Sequence, residues 1–278
     1  MRPALIYGAT LCVLLASTGA YAEPAYSHIN LIAASAGLGE GQPLLLGIRI
    51  EPRPGWKTYW RAAGESGLPP VFTFLATENT GIPEIRWPAP RRLLVQGQES
   101  YGYEGPVIFP FYVQPLNASL QVRLEVRVEY AVCMDICVPE QAEMKITLLP
   151  GPSRATTEKG ALQAALSRIP AQEGAESFAR IQDAFLELNG AQFNLHVAAS
   201  SSHGFGRPDM FADGPANLIF GRPQILYGEN NHQAAFSLPV IQLDPGQSVP
   251  GQTVTLTLVD GEFAVEKQVK LAERARTE

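Results

Sequence analysis

Val122-Arg123-Leu124-Glu125-Val126-Arg127-Val128-Glu129-Tyr130 alternates without a break. Val122, Leu124, Val126, Val128 and Tyr130 fall on one side, and Arg123, Glu125, Arg127 and Glu129 on the other. Successive side chains of a strand point to opposite faces, so this stretch predicts a strand with one face on a core and one in water. A helix would scatter the same apolar residues round its circumference. Working outward, strands are expected at Ile29–Ala33, Leu44–Ile50, Val71–Phe74, Val107–Val113 and Met144–Leu148. Pro52-Arg53-Pro54-Gly55, Gly67-Leu68-Pro69-Pro70 and Pro88-Ala89-Pro90 punctuate them as turns. Short strands at this spacing predict an antiparallel β-sandwich.

Pro150-Gly151-Pro152-Ser153 breaks the pattern and is read as a domain boundary. Beyond it, Thr157–Ile169 predicts a short linking helix with Leu162, Leu166 and Ile169 on one face and Pro170 just past its end. A second β set follows at Ala184–Leu188, Phe193–Val197, Asn217–Phe220, Ala235–Val240, Val254–Leu258 and Phe263–Val265. Asn189-Gly190 and Asp260-Gly261 are hairpin turns. Ser200–Gly214, polar and Gly-rich, is expected to be a loop. The expected organisation is all-β: a first sandwich over 23–150, then a helical linker and a second sandwich over 151–278.

The composition agrees with that class. The chain has 278 residues, 46% hydrophobic and 17% charged, with 25 Gly and 23 Pro, which suits strands and turns better than long charged helices. Net charge is −6 and the sole Arg pair is Arg91-Arg92, so nucleic acid is not an expected partner. Met1–Ala22 reads as an export signal. Arg2 gives a positive start, Ala9–Ala16 a short apolar run, and Ala20-Tyr21-Ala22 a cleavage site after Ala22. The apolar run is too interrupted for a stable span, and no later stretch is long and apolar enough to cross a bilayer. An exported protein with no membrane insertion after cleavage is expected. Cys12 leaves with the leader, so only Cys133 and Cys137 remain of three cysteines.

That pair carries the chemistry. Four steps along an extended strand cover about 13 Å, whereas disulfide-bonded Cα atoms sit about 4.4–6.8 Å apart. The chain must therefore turn through Met134-Asp135-Ile136 if the two are to bond. Closing so short a loop stabilises by roughly 2 kcal/mol, against about 4.7 for a loop of about 100 residues. A staple meant for stability would tie distant strands. Three readings stand: a redox-active dithiol/disulfide, a minor structural bridge, or a Cu(I) site on Cys133, Cys137 and Met134, since soft sulfur ligands favour that ion. Asp135, Glu140 and Glu143 make the surroundings acidic, and nothing basic flanks the pair before Lys145. A strongly depressed thiol pKa then needs a cation brought in by the fold. Without one, exchange with a docked, specific partner is favoured over broad oxidation of substrates.

Gly55-Trp56-Lys57-Thr58-Tyr59-Trp60, Gly67-Leu68-Pro69-Pro70, Trp87-Pro88-Ala89-Pro90-Arg91, Glu99-Ser100-Tyr101-Gly102-Tyr103 and Cys133…Cys137-Val138-Pro139-Glu140 occur in that order. Together they resemble the N-terminal periplasmic domain of the thiol:disulfide interchange protein DsbD family. The Cys-x-x-x-Cys-Val-Pro form is closest to the ScsB, or suppressor-of-copper-sensitivity, branch. The resemblance spans about 25–150 and, more loosely, 175–270. It implies two immunoglobulin-like domains and a thiol–disulfide oxidoreductase of the protein-disulfide reductase type, in a periplasmic setting and with a link to copper tolerance. Its partners would be a transmembrane thiol reductase and thioredoxin-fold periplasmic proteins. Cys137 would be the attacking thiol and Cys133 the resolving one, with no cofactor beyond the disulfide. Glu99–Tyr103 fall where the family carries a cap over its cysteines. The cap's Phe is replaced by Ser100, so Tyr101 or Tyr103 is expected to cover the sulfurs. The family's full-length members continue into a membrane domain and a thioredoxin-like domain. Neither follows here and no Cys-x-x-Cys occurs, so electrons are expected from a separate membrane protein. Trp56, Tyr59 and Trp60 are read as core residues or as the lining of a partner groove. The four histidines are scattered and carry no assigned role.

Overall fold

The alternating stretch lies inside a longer strand, and its extension carries the first cysteine. A computed structural model describes residues 26–274 other than 96, 175, 176 and 245, so the leader and its cleavage site lie outside the described residues. The first nine strands are β1 (Ser27–Ala33), β2 (Leu44–Pro52), β3 (Lys57–Gly64), β4 (Val71–Glu78), β5 (Arg91–Val95), β6 (Gln98–Glu104), β7 (Val107–Val113), β8 (Val122–Cys133) and β9 (Cys137–Leu148). β1, β2 and β7 form one antiparallel sheet. The other runs β4-β8-β3-β6-β5, with β9 on the far edge of β8. Their facing surfaces bury Leu46, Ile48, Phe109, Phe111, Leu124, Val126 and Val128. This is the expected antiparallel sandwich, and Val122 to Tyr130 supply its core face from β8.

Past Tyr130 the alternation stops but the strand does not. Ala131, Val132 and Cys133 are all buried. The outer face of the sheet here carries a second small cluster of Tyr59, Leu93, Val95, Ala131 and Cys133. A strand buried on both faces shows no polar alternation. Three of these nine strands escaped the sequence reading, β3, β5 and β6. The mixtures of aromatic, charged and glycine residues in β3 and β6, and the run Arg91-Arg92-Leu93-Leu94-Val95 in β5, blur the period-two signal.

The helix α1 (Lys159–Leu166) is shorter than expected at both ends and packs on β7 and β2 of the first sandwich. It buries Leu162 and Ala165, and Leu162 sits over Gly47, whose missing side chain makes the seat. The chain before it is strapped down too. Ser35 pairs with Ala155, Gly37 with Leu149, and the Thr156 amide donates to the Ala34 carbonyl at 3.0 Å.

The remaining strands are β10 (Ala171–Gln172), β11 (Ala179–Asn189), β12 (Gln192–Ser201), β13 (Pro208–Asp213), β14 (Leu218–Phe220), β15 (Gln224–Tyr227), β16 (Gln233–Gln242), β17 (Thr253–Asp260) and β18 (Phe263–Lys270). They make a sheet β10-β18-β17-β13 and a sheet β11-β12-β16-β14, with β15 also on β16. All pairs are antiparallel except the short β10–β18 contact. The expected loop at Ser200–Gly214 contains β13, because Met210, Phe211 and Ala212 are buried despite their polar neighbours.

The two sandwiches meet on β3 and β6. Phe211 joins the first core, with its ring 5.1 Å from Tyr101 and 6.2 Å from Trp60. Arg92 reaches Asp209 at 2.9 Å and Glu99 at 3.0 Å, and Arg61 reaches Asp213 at 2.8 Å and Glu266 at 2.7 Å. The Tyr101 hydroxyl donates to the Phe220 carbonyl. Burial opposes the charge of Arg92, but the hydrogen bond and charge of Asp209 outweigh it and hold the guanidinium above its ordinary pKa.

Candidate redox site

Cys133 ends β8 and Cys137 begins β9, and the two are directly paired across the hairpin. The chain reverses through Met134, Asp135 and Ile136, with the Met134 amide donating to the Ile136 carbonyl at 3.0 Å. The turn demanded by the spacing is therefore a tight hairpin loop. It brings the Cα atoms to 4.1 Å, and the pair is disulfide-bonded. The two sulfurs are not equivalent. Cys133 is fully buried, whereas Cys137 is exposed at the start of an edge strand. Met134 and Ile136 beside it are also exposed.

The register fixes what surrounds the pair. Lys57 lies opposite Cys133 and Thr58 opposite Val132. Residues 57 and 59 share the face of Cys133, while Trp56 and Trp60 turn into the main core. The Tyr59 ring is fully buried, and its hydroxyl lies 3.3 Å from the Cys137 sulfur. A disulfide sulfur carries no proton, so the phenol donates. Burial pushes the Tyr59 pKa up, so it stays protonated through neutral pH. Lys57 stands opposite Cys133 in register, but its ammonium is turned toward β6 and β5. Its ammonium donates to the Leu94 carbonyl at 3.1 Å and pairs with Glu104 at 3.4 Å.

The expected cap is not where the resemblance put it. Glu99, Ser100, Tyr101, Gly102 and Tyr103 form β6 inside the sheet. Period-two alternation turns Ser100 and Gly102 toward the cysteine face and Glu99, Tyr101 and Tyr103 away from it. Glu99 meets Arg92, Tyr101 reaches the second sandwich, and the Tyr103 hydroxyl donates to the Pro88 carbonyl at 2.8 Å. Neither tyrosine covers the sulfurs. Ser100 instead latches the segment after β3. Its hydroxyl donates to the Ser66 carbonyl at 2.7 Å, and the Ser66 hydroxyl lies 2.9 Å from it. That segment passes over Tyr59 at Gly67, where φ is +132° and a methyl group would overlap the phenol ring.

Glu140 is withdrawn from the sulfurs. Its carboxylate accepts from the Tyr26 amide at 2.9 Å, from Tyr130 at 2.8 Å, and from Ser27. Burial, with the Glu140 contact adding to it, pushes the Tyr130 phenol well up. The Met134 thioether lies against Gly55, and among the described residues no three His, Cys, Asp or Glu side chains gather to hold a metal. Of the residues singled out from sequence, the fold thus bonds Cys133 to Cys137, leaves Met134 in the loop between them and sets Glu99–Tyr103 apart. Tyr59 and Lys57 are the residues on this face that sequence reasoning did not connect with the cysteines. The available signal was their parity: in Trp56-Lys57-Thr58-Tyr59-Trp60 the even positions match the core.

The family model described as thiol:disulfide interchange protein DsbD, N-terminal, matches residues 31–149. A domain of unknown function (DUF8393) matches residues 168–274. The crystal structure of the N-terminal periplasmic domain of ScsB from Proteus mirabilis is similar with a TM-score of 0.70 at 18% identity, covering 90% of this chain and 94% of that one. At that identity the likeness shows a shared fold across both sandwiches. The titin tandem immunoglobulin domains A164-A165 cover 90% of this chain and 98% of their own, at 10% identity and a TM-score of 0.21, too low to carry an argument. No curated protein sequence matches.

Proposed function

Residues 31–149 belong to the DsbD N-terminal family of thiol:disulfide interchange domains, and from that premise we propose that this chain is an exported, periplasmic electron relay. It receives reducing equivalents from a separate transmembrane thiol reductase and hands them to thioredoxin-fold partners. The cysteine pair is the only redox group it needs. The observation that carries the reading is the unequal burial of Cys133 and Cys137.

In the reduced chain the Cys137 thiolate attacks one sulfur of a partner disulfide. That S–S bond breaks, the partner's other sulfur leaves as a thiolate and takes a proton, and a mixed disulfide forms at Cys137. Cys133, deprotonated, then attacks the Cys137 sulfur and releases the second partner thiol. Two electrons and two protons have moved to the partner, and Cys133–Cys137 is again a disulfide. The reverse sequence, with the membrane reductase's thiolate attacking exposed Cys137, recharges the pair. The burial of Cys133 beside exposed Cys137 supports its role as the resolving thiol.

The test is trapping. A Cys133→Ser chain expressed in its own cells is expected to accumulate a mixed disulfide through Cys137 with a thioredoxin-fold protein, resolved by reductant on a gel and identified by mass spectrometry. If neither Cys133→Ser nor Cys137→Ser traps any partner, the relay reading fails. Tight, stoichiometric and cysteine-dependent Cu(I) binding by the reduced chain, in place of trapping, would favour copper holding through Cys133, Cys137 and Met134. We place the relay in copper tolerance on the ScsB resemblance, so cells lacking it should grow less well on copper.

A further inference from the structure

Tyr59 is a buried phenol with an unusual single partner. Buried hydroxyls are hydrogen-bonded almost without exception. Among the described residues this one has only the Cys137 sulfur, at 3.3 Å. Its position leaves it no choice. The backbone of Gly67 lies against the ring, with Gly64 (φ +80°) and Gly67 (φ +132°) bending the overlying segment down onto it. The Ser66–Ser100 latch and the Glu65 amide, which donates to the Glu99 carbonyl at 2.9 Å, hold that segment closed.

The geometry points to Tyr59 as a positioning residue for the thiol exchange, one whose O–H is aimed at the Cys137 sulfur and stabilises the thiolate there. The inference deepens the relay reading and rests on it for its biological meaning. No covalent step involves the phenol. When the disulfide opens, charge develops on Cys137, and the hydrogen bond strengthens from a neutral to a charge-assisted one. The proton stays on Tyr59, since its burial raises the phenol's pKa further above neutral. A hydrogen bond to the charged form lowers the pKa of the group that carries the charge. Cys137 is thereby made a better-populated nucleophile and a better leaving group, and the dithiol is stabilised relative to the disulfide.

Other charges also act on this face, and the test must separate them. They are Lys57 on β3, Arg91 on β5, Glu104 on β6, Glu129 on β8, Glu65 on the overlying segment and Asp135 in the hairpin loop. Glu140 on β9 is turned to the opposite face and tied to Tyr130. A Tyr59→Phe substitution leaves all of these in place and keeps the ring that Gly67 packs on. It removes one hydrogen atom's worth of interaction, with the oxygen.

The experiment is alkylation of the reduced full chain by iodoacetamide across pH 5–10, with the site mapped by mass spectrometry, together with the reduction potential against glutathione. A hydrogen bond to a charged group is worth about 1.5–3 kcal/mol, so the thiolate fraction below the pKa should fall at least about tenfold in Tyr59→Phe. The Cys137 pKa then moves up by about one unit or more. At a pH above the Cys137 pKa of both chains, the same tenfold enters the exchange equilibrium and makes the potential about 30 mV more negative. A Cys137 pH profile that does not move overturns the inference, whatever happens to melting temperature, since a packing role shifts stability and not the profile. Tyr59→Leu, which loses ring and hydroxyl together, should reproduce the shift, and failure to do so also overturns it. These readouts need no partner. A shifted profile with no trapped partner would sink the relay and leave the Tyr59 assignment standing.

Discussion

Gly102 shows how much one residue can constrain this site. A methyl group there would collide with the carbonyl oxygen of Thr58 on the neighbouring strand. β6 can lie against β3 only because position 102 has no side chain. Gly102→Ala must push the two strands apart or distort the β3 backbone one residue before Tyr59. The expected loss is about 1–3 kcal/mol, the usual cost of overpacking, measured by urea unfolding at neutral pH. An unchanged midpoint would mean that β3 yields freely. The sequence displayed Tyr101-Gly102-Tyr103 plainly but not what it was for. Its aromatic residues drew attention as covers for the sulfurs, whereas parity within β6 sends both rings away from them. The cysteines themselves were legible to the residue, because only a chain reversal lets two cysteines four positions apart bond. Tyr59 was not, because nothing local to Gly55–Trp60 says that residues near 133 and 137 will lie on its odd-numbered face.

The β8–β9 hairpin is the element that presents the chemistry. Twelve paired positions hold it, from Val122↔Leu148 to Cys133↔Cys137, and the disulfide only closes the end of a ladder that already exists. Reduction should therefore leave the element intact. The entropy of a loop of about 5 residues sets the loss near 2 kcal/mol. The reduced chain is expected to keep its far-ultraviolet β spectrum and to unfold in one cooperative transition at slightly lower urea. Loss of β signal on reduction would show that the bridge is structural, and the relay would lose its scaffold. Most elements were readable in this way from period and turns, including the β8 alternation, the β7 strand and the Asn189-Gly190 hairpin. Those that were not have two causes. β3, β6, β13 and the end of β8 are buried on both faces or cross the junction between sandwiches, where tertiary neighbours replace the water that makes alternation visible; β5, β10 and β15 are too short to display a period.

At the scale of the whole molecule, the two sandwiches share side chains as well as a boundary. Phe211 from the second fills space between Trp60 and Tyr101 of the first, so Phe211→Ala should cost about 3–5 kcal/mol, the range for an emptied aromatic site. Calorimetry should then split one transition into two, and a single unsplit transition would mean that the polar contacts alone couple the halves. Tyr59, Tyr101, Tyr103 and Tyr130 all have phenols whose pKa burial raises above the ordinary value near 10. Above about pH 10 the unfolded chain gives up those protons while the folded one retains them. Their contribution to stability is complete below that pH and is lost as pH climbs through the folded values. Urea midpoints should fall steadily from pH 10 upward, and the native spectrum near 295 nm should show fewer ionised tyrosines than the unfolded chain. A midpoint flat to pH 11.5 would contradict the burial of these phenols.

The strap that runs from Leu149 to Arg168 has a practical consequence for anyone dividing the molecule. The Pro150–Ser153 punctuation looks like a natural place to cut, yet the chain beyond it is bonded to Ala34 and Ala36, and it carries the helix whose Leu162 fills the hollow over Gly47. The Ala89 amide is still donating to the Arg168 carbonyl at 2.8 Å where the helix has ended. By Ala171 the chain is already in the other sheet. Almost no slack separates the two halves, so a protease that attacks flexible tethers should find no preferred nick between them. A fragment ended at the punctuation would go into solution with an uncovered apolar hollow of its own making, and any loss of activity in it would report the wound rather than the division of labour.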